Sequence, residues 1–206
     1  MTYAVARFYS GSGSLDPEEI DNVVRQELMP QLMKATGLHR YSTIKFKDGR
    51  IGPYSMYESQ DAANRGQQIA IEWVHGTGVL RGYTLTEVLR GEVIHALQGR
   101  GNQLQRNAYA VARIYKSAAS VQEVRNALDQ EGSAIIQAIP GILHWACVRL
   151  EDGRSGVFSA CETLEAANQL AESARKSRTT RGSAMGRIFP NEPETMDGLI
   201  LGTYCS

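Results

Sequence analysis

Polar and apolar positions alternate from the first residues of this 206-residue chain. Tyr3-Ala4-Val5-Ala6-Arg7-Phe8-Tyr9 mixes aromatic and β-branched side chains at a period of two, which predicts a strand. The period then lengthens. Asp16-Pro17-Glu18-Glu19 has the form of a helix start, with an N-cap carboxylate, a proline at the first helical position and a glutamate three residues past the cap. Ile20, Val23, Val24 and Leu28 follow as a 3.6-residue stripe. Gly37 stops that helix, and Pro30 is expected to kink it. A hairpin turning at Asp48-Gly49 comes next, then a helix from near Ser59 to Val74 and a last strand from near Gly91 to Leu97. The succession begins again at Tyr109. A stripe of Val124, Ala127 and Leu128, a stop at Pro140-Gly141, a turn at Asp152-Gly153, a helix from Thr163 to about Arg175 and a strand from Gly198 to Tyr204 complete it.

The two halves share letters as well as rhythm. Tyr3-Ala4-Val5-Ala6-Arg7 recurs as Tyr109-Ala110-Val111-Ala112-Arg113 at a shift of 106, and between Lys47 and Asn64 nine of eighteen positions recur at a shift of 104. The shift changes near Ser10-Gly11-Ser12-Gly13-Ser14 and again around Phe189-Pro190-Asn191, both predicted loops. These patterns predict a tandem duplication of one ferredoxin-like βαββαβ domain, with repeats at 1–97 and 108–206 and a polar linker at 98–107. A four-stranded sheet with helices on one face must bury its other face. For a duplicated chain the nearest partner is the sheet of its own second copy, so the fold class expected is α+β, packed sheet to sheet as an intrachain barrel.

Charge excludes more than it suggests. Twenty-two basic residues balance twenty-two acidic ones, without runs, so no field steers nucleic acid or an anionic membrane toward the chain. The amino-terminal segment lacks the basic-then-apolar pattern of a signal peptide and no apolar stretch reaches spanning length, which by default predicts a cytoplasmic protein. Three cysteines, Cys147, Cys161 and Cys205, read as reduced thiols rather than a disulfide framework. The four histidines have no ligand spacing, so no metal is expected, and the glycine pairs near Gly11 and Gly76 lack the strand–helix context of a phosphate loop.

Arg7-Phe8-Tyr9 closing the first strand, Gly37-Leu38-His39-Arg40-Tyr41 entering the hairpin, Ser55-Met56-Tyr57-Glu58 leading to Ala62-Ala63-Asn64, and Glu72-Trp73-Val74 together resemble the antibiotic biosynthesis monooxygenase superfamily. The second copy supplies Gly141-Ile142-Leu143-His144-Trp145 and Ser159-Ala160-Cys161-Glu162. That resemblance implies a dimeric α+β barrel, here with both halves in one chain and a homo-oligomer as a further expectation. It implies no single activity: the superfamily includes quinol and polyketide monooxygenases that need no cofactor, and haem-degrading enzymes. The latter use an asparagine on the first strand, where this chain has Arg7, so haem degradation is not expected and no cofactor is assigned.

Candidate chemistry centres on the strand arginines. Arg7 shares a strand face with Tyr3, Val5 and Tyr9, as Arg113 does with Tyr109, Val111 and Tyr115. A buried guanidinium needs a carboxylate, for which Glu58 and Glu162 are the candidates, or an anionic ligand. Two-residue Asp-Gly turns place Tyr41 opposite Met56 and Tyr54 on Tyr41's face; in the second copy they place His144 opposite Cys161, where an imidazole could lower the thiol pKa, though a plain half-buried cysteine is the commoner arrangement. Arg7, His39, Tyr41, Arg113 and Trp145 are the residues expected to line a pocket for an aromatic or quinone-like molecule. The rival expectation is a non-enzymatic ligand-binding or assembly module, with the rings as ordinary core.

Overall fold

The computed structural model describes residues 1–35, 37–98, 107–117 and 119–205. Most of the expected linker, 99–106, lies outside them. The chain divides into two compact units, one of Met1–Glu92 with Gly198–Ser206 and one of Val93–Asp197. These bounds differ from those read in the sequence, because the divisions fall inside strands: the end of the first predicted repeat belongs to the second unit, and the end of the second repeat to the first.

In the first unit, β1 (Tyr3–Gly11) leads to α1 (Pro17–Val23), a π-helical turn (Val24–Leu28) and α2 (Met29–Ala35). The hairpin β2 (Leu38–Phe46) and β3 (Ile51–Tyr57) follows, then α3 (Gln60–Thr77) and β4 (Tyr83–Gln98), which runs on past the unit's edge. In the second unit, β5 (Tyr109–Tyr115) precedes α4 (Val121–Ala127), a π-helical turn (Leu128–Gly132) and α5 (Ser133–Gln137). Next come β6 (Ile142–Leu150), β7 (Ser155–Cys161), α6 (Leu164–Thr179), α7 (Ala184–Ile188) and β8 (Glu194–Cys205), whose later part belongs to the first unit. Strand order is β4-β1-β3-β2-β8 in the first unit and β8-β5-β7-β6-β4 in the second. β1 pairs antiparallel with β3 and β4, and β2 with β3 and β8; β7 pairs antiparallel with β5 and β6.

Local chemistry accounts for the helix starts. Asp16 accepts from the Glu19 amide at 2.8 Å while Glu19 accepts from the Asp16 amide at 2.8 Å, a reciprocal capping box. Ser120 and Glu123 repeat the arrangement. The expected proline kink needs correcting. Each helical run is interrupted by a π turn, in which Met29 N–H donates to the Val24 carbonyl and Ser133 N–H to the Leu128 carbonyl. Because the second unit has Ala134 where the first has Pro30, the proline is not the cause of the interruption.

The hairpins also differ from the two-residue turns expected. Phe46 N–H donates to the Arg50 carbonyl at 2.8 Å and Gly49 N–H to the Phe46 carbonyl at 3.2 Å, with Gly49 at φ 88°, so the loop has three residues and ends on a left-handed glycine. Leu150, Gly153 and Arg154 reproduce it. One extra loop residue moves the register by one: Tyr41 faces Ser55, and Trp145 faces Ser159. On the helix-covered face of the first unit, Val5, Tyr41, Ile51 and Tyr57 meet Ile20, Val24, Leu28 and Trp73. In the second, Val111, Trp145, Cys147 and Cys161 meet Val124, Leu128, Leu170 and Phe189. Residues of the opposite strand faces, such as Ala6, Phe8, Ile44 and Ala146, are buried as well.

The second unit has α7 where the first has no counterpart, and Glu131 fastens it. Its carboxylate accepts from Ser183 Oγ at 2.7 Å and from the Ala184 amide at 2.8 Å, and these donors hold the carboxyl below its usual value. A lowered folded-state value means that the interaction stabilises above the ordinary carboxylate range and fades as pH falls through the folded-state value. Glu131→Gln should therefore cost about 1 kcal/mol in urea unfolding at pH 7, with the gap to the parent closing on acidification. Backbone approach gives a second expectation. A β-carbon at Gly52 would overlap the Arg7 carbonyl oxygen, whereas at Gly156 it would meet the Phe158 ring at 2.8 Å. Gly52→Ala should thus destabilise by about 3 kcal/mol or more in the same assay, and Gly156→Ala by clearly less, since a ring can shift and a paired strand cannot.

Candidate functional site

Strand alternation places Arg7 under the helices of the first unit, beside Tyr9 and beneath α1, the π turn and α3. There it borders a cavity of about 50 Å³ whose walls include Tyr9, Tyr41, Thr43, Tyr57, Trp73 and Leu80. Arg7 is only 8 % exposed, and among the described residues it has no hydrogen bond and no ion pair. The carboxylate proposed for it does not reach it: Glu58 is exposed, with its side chain folded against Gly37. Thr43, 5 % exposed, also lines the cavity, and its buried Oγ1 has no partner among the described residues. Burial pushes the Tyr9, Tyr41 and Tyr57 phenols above their usual values, against the pull of Arg7, so these hydroxyls stay neutral at physiological pH. Trp73 spends its indole N–H on Glu27 Oε2 at 3.2 Å and gives the cavity the rest of its ring.

The second unit has a cavity at the corresponding place, about 40 Å³, bordered by Arg113, Tyr115, Trp145, Val157, Arg178 and Phe189. Arg113 is 6 % exposed and, among the described residues, has neither a hydrogen bond nor an ion pair. Burial pushes its guanidinium below the usual arginine value, and the nearby Arg178 adds to the effect. Arg178 itself is held. Its Nη2 meets Glu192 Oε2 at 2.7 Å and its Nη1 donates to the Asn191 carbonyl at 2.7 Å, while its buried Nε has no partner among the described residues.

The five residues singled out in the sequence therefore separate. Arg7 and Tyr41 border one cavity, Arg113 and Trp145 the other, and His39 is exposed and borders neither. Tyr54 lies across from Ser42 and Ala6, on the other strand face from Tyr41, because of the one-residue change in register. Trp73 and Arg178 were not among those five. A signal for Trp73 was present, in the α3 stripe of Ala62, Ala63 and Gly66 that it continues. The imidazole–thiol pair does not form. His144 faces Ala160, and Cys161 faces Ile142, which sets the two side chains on opposite faces of the sheet. Among the described residues no cluster of three or more His, Cys, Asp or Glu suits a metal, and no helix is long and apolar enough to cross a membrane.

No family model matches the chain, and no curated protein matches it. Solved structures do. An anthrone oxidase-like protein aligns over 99 % of this chain and 93 % of its own, with TM-score 0.61 and 16 % identity. A protein of Fusobacterium nucleatum named as a candidate monooxygenase aligns over 100 % and 94 %, with TM-score 0.68 and 9 % identity. A chlorite dismutase variant from Candidatus Nitrospira defluvii aligns over 97 % and 90 %, with TM-score 0.63 and 16 % identity. These are proteins of the dimeric α+β barrel class, and at such identities the likeness shows the fold.

Burial decides the behaviour of the thiols. It pushes Cys147 up to about 12 and Cys161 up to about 11, so neither is a thiolate near neutrality, whereas Cys205 is exposed. Native protein at pH 7.5 should show one fast-reacting thiol with iodoacetamide, lost in Cys205→Ser, and two more at least about 100-fold slower until denaturant is added. Fast labelling of Cys161 would contradict the burial described here.

Proposed function

We propose that the chain is a tandemly duplicated relative of the antibiotic biosynthesis monooxygenases, with repeats at 1–97 and 108–206 joined through 98–107. In this reading the repeats pack sheet to sheet as an intrachain barrel, and the protein binds a small aromatic or quinone-like molecule, as a cofactor-independent monooxygenase. The repeated letters, the matching pairs of capping boxes and π turns, and the burial of both strand faces support the duplication. The binding residues proposed are Arg7 and Tyr41 in the first unit and Arg113 and Trp145 in the second. His39, which the sequence suggested, is withdrawn because it is exposed. A cytoplasmic setting and assembly into homo-oligomers belong to the same proposal, with no nucleic acid or membrane as partner.

The observation that carries it is the unpartnered Arg7 beside an apolar, ring-lined cavity. A guanidinium in such surroundings favours a ligand oxygen that carries negative charge. An electron-rich phenol or quinol bound there is held as its phenolate, the form that most readily gives an electron to dioxygen, and no metal is needed for the ligand's activation. One observation favours the rival, non-enzymatic reading. Cavities of about 50 and 40 Å³ are far below the roughly 300 Å³ usual for small-molecule sites, so catalysis on a bicyclic substrate requires side chains such as Trp73 and Leu80 to move aside.

Oxygen consumption over a panel of quinols and polycyclic phenols separates the two. The enzymatic reading expects turnover by the parent protein, a loss of about 100-fold or more in Arg7→Gln, and a smaller loss in Tyr41→Phe. Silence across the panel, with tight binding and no oxygen uptake, would leave the ligand-binding module as the function.

A further inference from the structure

We propose that the cavity of the second unit is a site for a compact planar oxyanion of the carboxylate or nitrate type, held by Arg113 with Arg178 as the second cation. The inference departs from the reading above in one respect, giving the cavity of Arg113 and Trp145 an oxyanion in place of an aromatic molecule, and it stands independently of turnover in the first cavity.

Charge comes first. Two guanidinium groups border this space, and only one carboxylate, Glu192, is engaged with either of them. Asp197 is felt by Arg113 through space only. Arg113 is thus a guanidinium that is only 6 % exposed and has no carboxylate in contact, and that is costly unless something anionic shares its place. Donors come second. Among the described residues Arg113 has no hydrogen bond and no ion pair, and the buried Nε–H of Arg178 has no acceptor, so donors of both guanidiniums are left for a ligand at this cavity. A guanidinium fork matches the two oxygens of a carboxylate or nitrate at the right spacing for paired hydrogen bonds.

Size then selects within the class. A space of about 40 Å³ accommodates two or three waters or one ion of three to four heavy atoms, and an engineered cavity that holds benzene is about 150 Å³. Apart from Tyr115 and Ser177 the remaining walls, among them Ile136, Val157, Leu170 and Phe189, are apolar, and the volume leaves a larger anion no room. The first unit differs at the decisive position. Val74 stands where the second unit has Arg178, so the first cavity has one guanidinium and a ring of phenols instead of two guanidiniums.

The test is a thermal melt of the full chain in sodium formate, with ionic strength held constant by sodium gluconate, whose carboxylate is too large to enter. Formate should raise Tm in a saturable way, by on the order of 5 °C at a hundredfold excess over Kd, and nitrate should behave likewise. Arg113→Met should abolish the response and, in gluconate alone, melt no lower than the parent, because an unpaired buried charge has been removed. Arg7→Met should keep the response. Identical melting in formate and gluconate, a formate response retained by Arg113→Met, or one lost in Arg7→Met would each overturn the proposal. Should Arg113→Met not fold, line broadening of ¹³C-formate on the parent protein serves in its place. Saturable broadening that weakens by about tenfold in Arg178→Gln supports the site, and its absence overturns it.

Discussion

The three-residue loop that joins β2 to β3, and its counterpart between β6 and β7, sets the parity on which both cavities depend. A left-handed glycine closes each loop, and the preceding aspartate ties it down. Asp48 accepts from the Arg50 amide at 3.1 Å and from Arg50 Nε at 2.8 Å, and the Arg50 guanidinium then lies 5.0 Å from the centre of the Phe8 ring. In the second unit Asp152 holds Arg154 in the same way. Since side chains alternate across a strand, a loop one residue shorter would exchange every residue of β3 between faces. Tyr57 would leave Arg7's side of the sheet and Tyr54 would replace it. The ring-lined wall around the first guanidinium therefore follows from turn geometry about 20 Å of chain away, since Tyr57 is six residues along β3 from Ile51 and a strand rises about 3.4 Å per residue.

Given that parity, each core encloses a costly arginine, Arg7 in one and Arg113 in the other. A guanidinium taken from water without a partner costs several kcal/mol, a large share of the 5–15 kcal/mol by which a domain is typically stable. The surroundings do little to relieve Arg7 or Arg113 directly. What they provide is shape: β1 and β5 hold the side chains in line, and the π turns bring Val24 and Leu28 to the cavity beside Arg7 and Gly132 to the one beside Arg113. A core built for stability alone would have a leucine or methionine at these positions. An arginine at the same place in both units is the feature on which the proposed ligand sites rest.

Much of this architecture was legible from residues alone, and what was missed has physical causes. Asp16 and Glu19, like Ser120 and Glu123, announced their helices because capping is a local interaction among four consecutive residues. Strand and helix periods did the same. The register was missed because Asp-Gly serves both two-residue turns and the last two positions of a three-residue loop, and only the hydrogen bonds of Phe46 with Gly49 and Arg50 distinguish them. The π turns were missed because nothing in Val24–Leu28 or Leu128–Gly132 differs in composition from an ordinary helix turn. The pairing of Arg7 with Glu58 was expected from residue type, but the chain turns at Gly37 and takes that carboxylate to the surface. Arg178 was beyond the sequence for another reason: its role depends on Glu192 and Asn191, which reach it through the α7 insertion that only the second unit has.

The two cavities occupy the same place in their units, yet their chemistry diverges at a few positions. In the first, Thr43, Tyr9, Tyr41 and Tyr57 surround Arg7, and the raised phenols keep their protons across the physiological range. The protonation of a bound ligand is then governed by the ligand's own acidity and by Arg7, because no neighbouring side chain competes as a base. In the second, the equivalent of Thr43 is Cys147, which does not border the cavity and whose thiol, pushed up to about 12, carries no charge near neutrality. Selectivity there comes from two guanidiniums and a small volume. A neutral phenol has little to gain in the second cavity, and a small hydrophilic anion loses its hydration in the first without a second cation to replace it. In the two proposals the same strand arginine would serve two ligand classes according to whether a valine or an arginine stands at the equivalent place on the long helix.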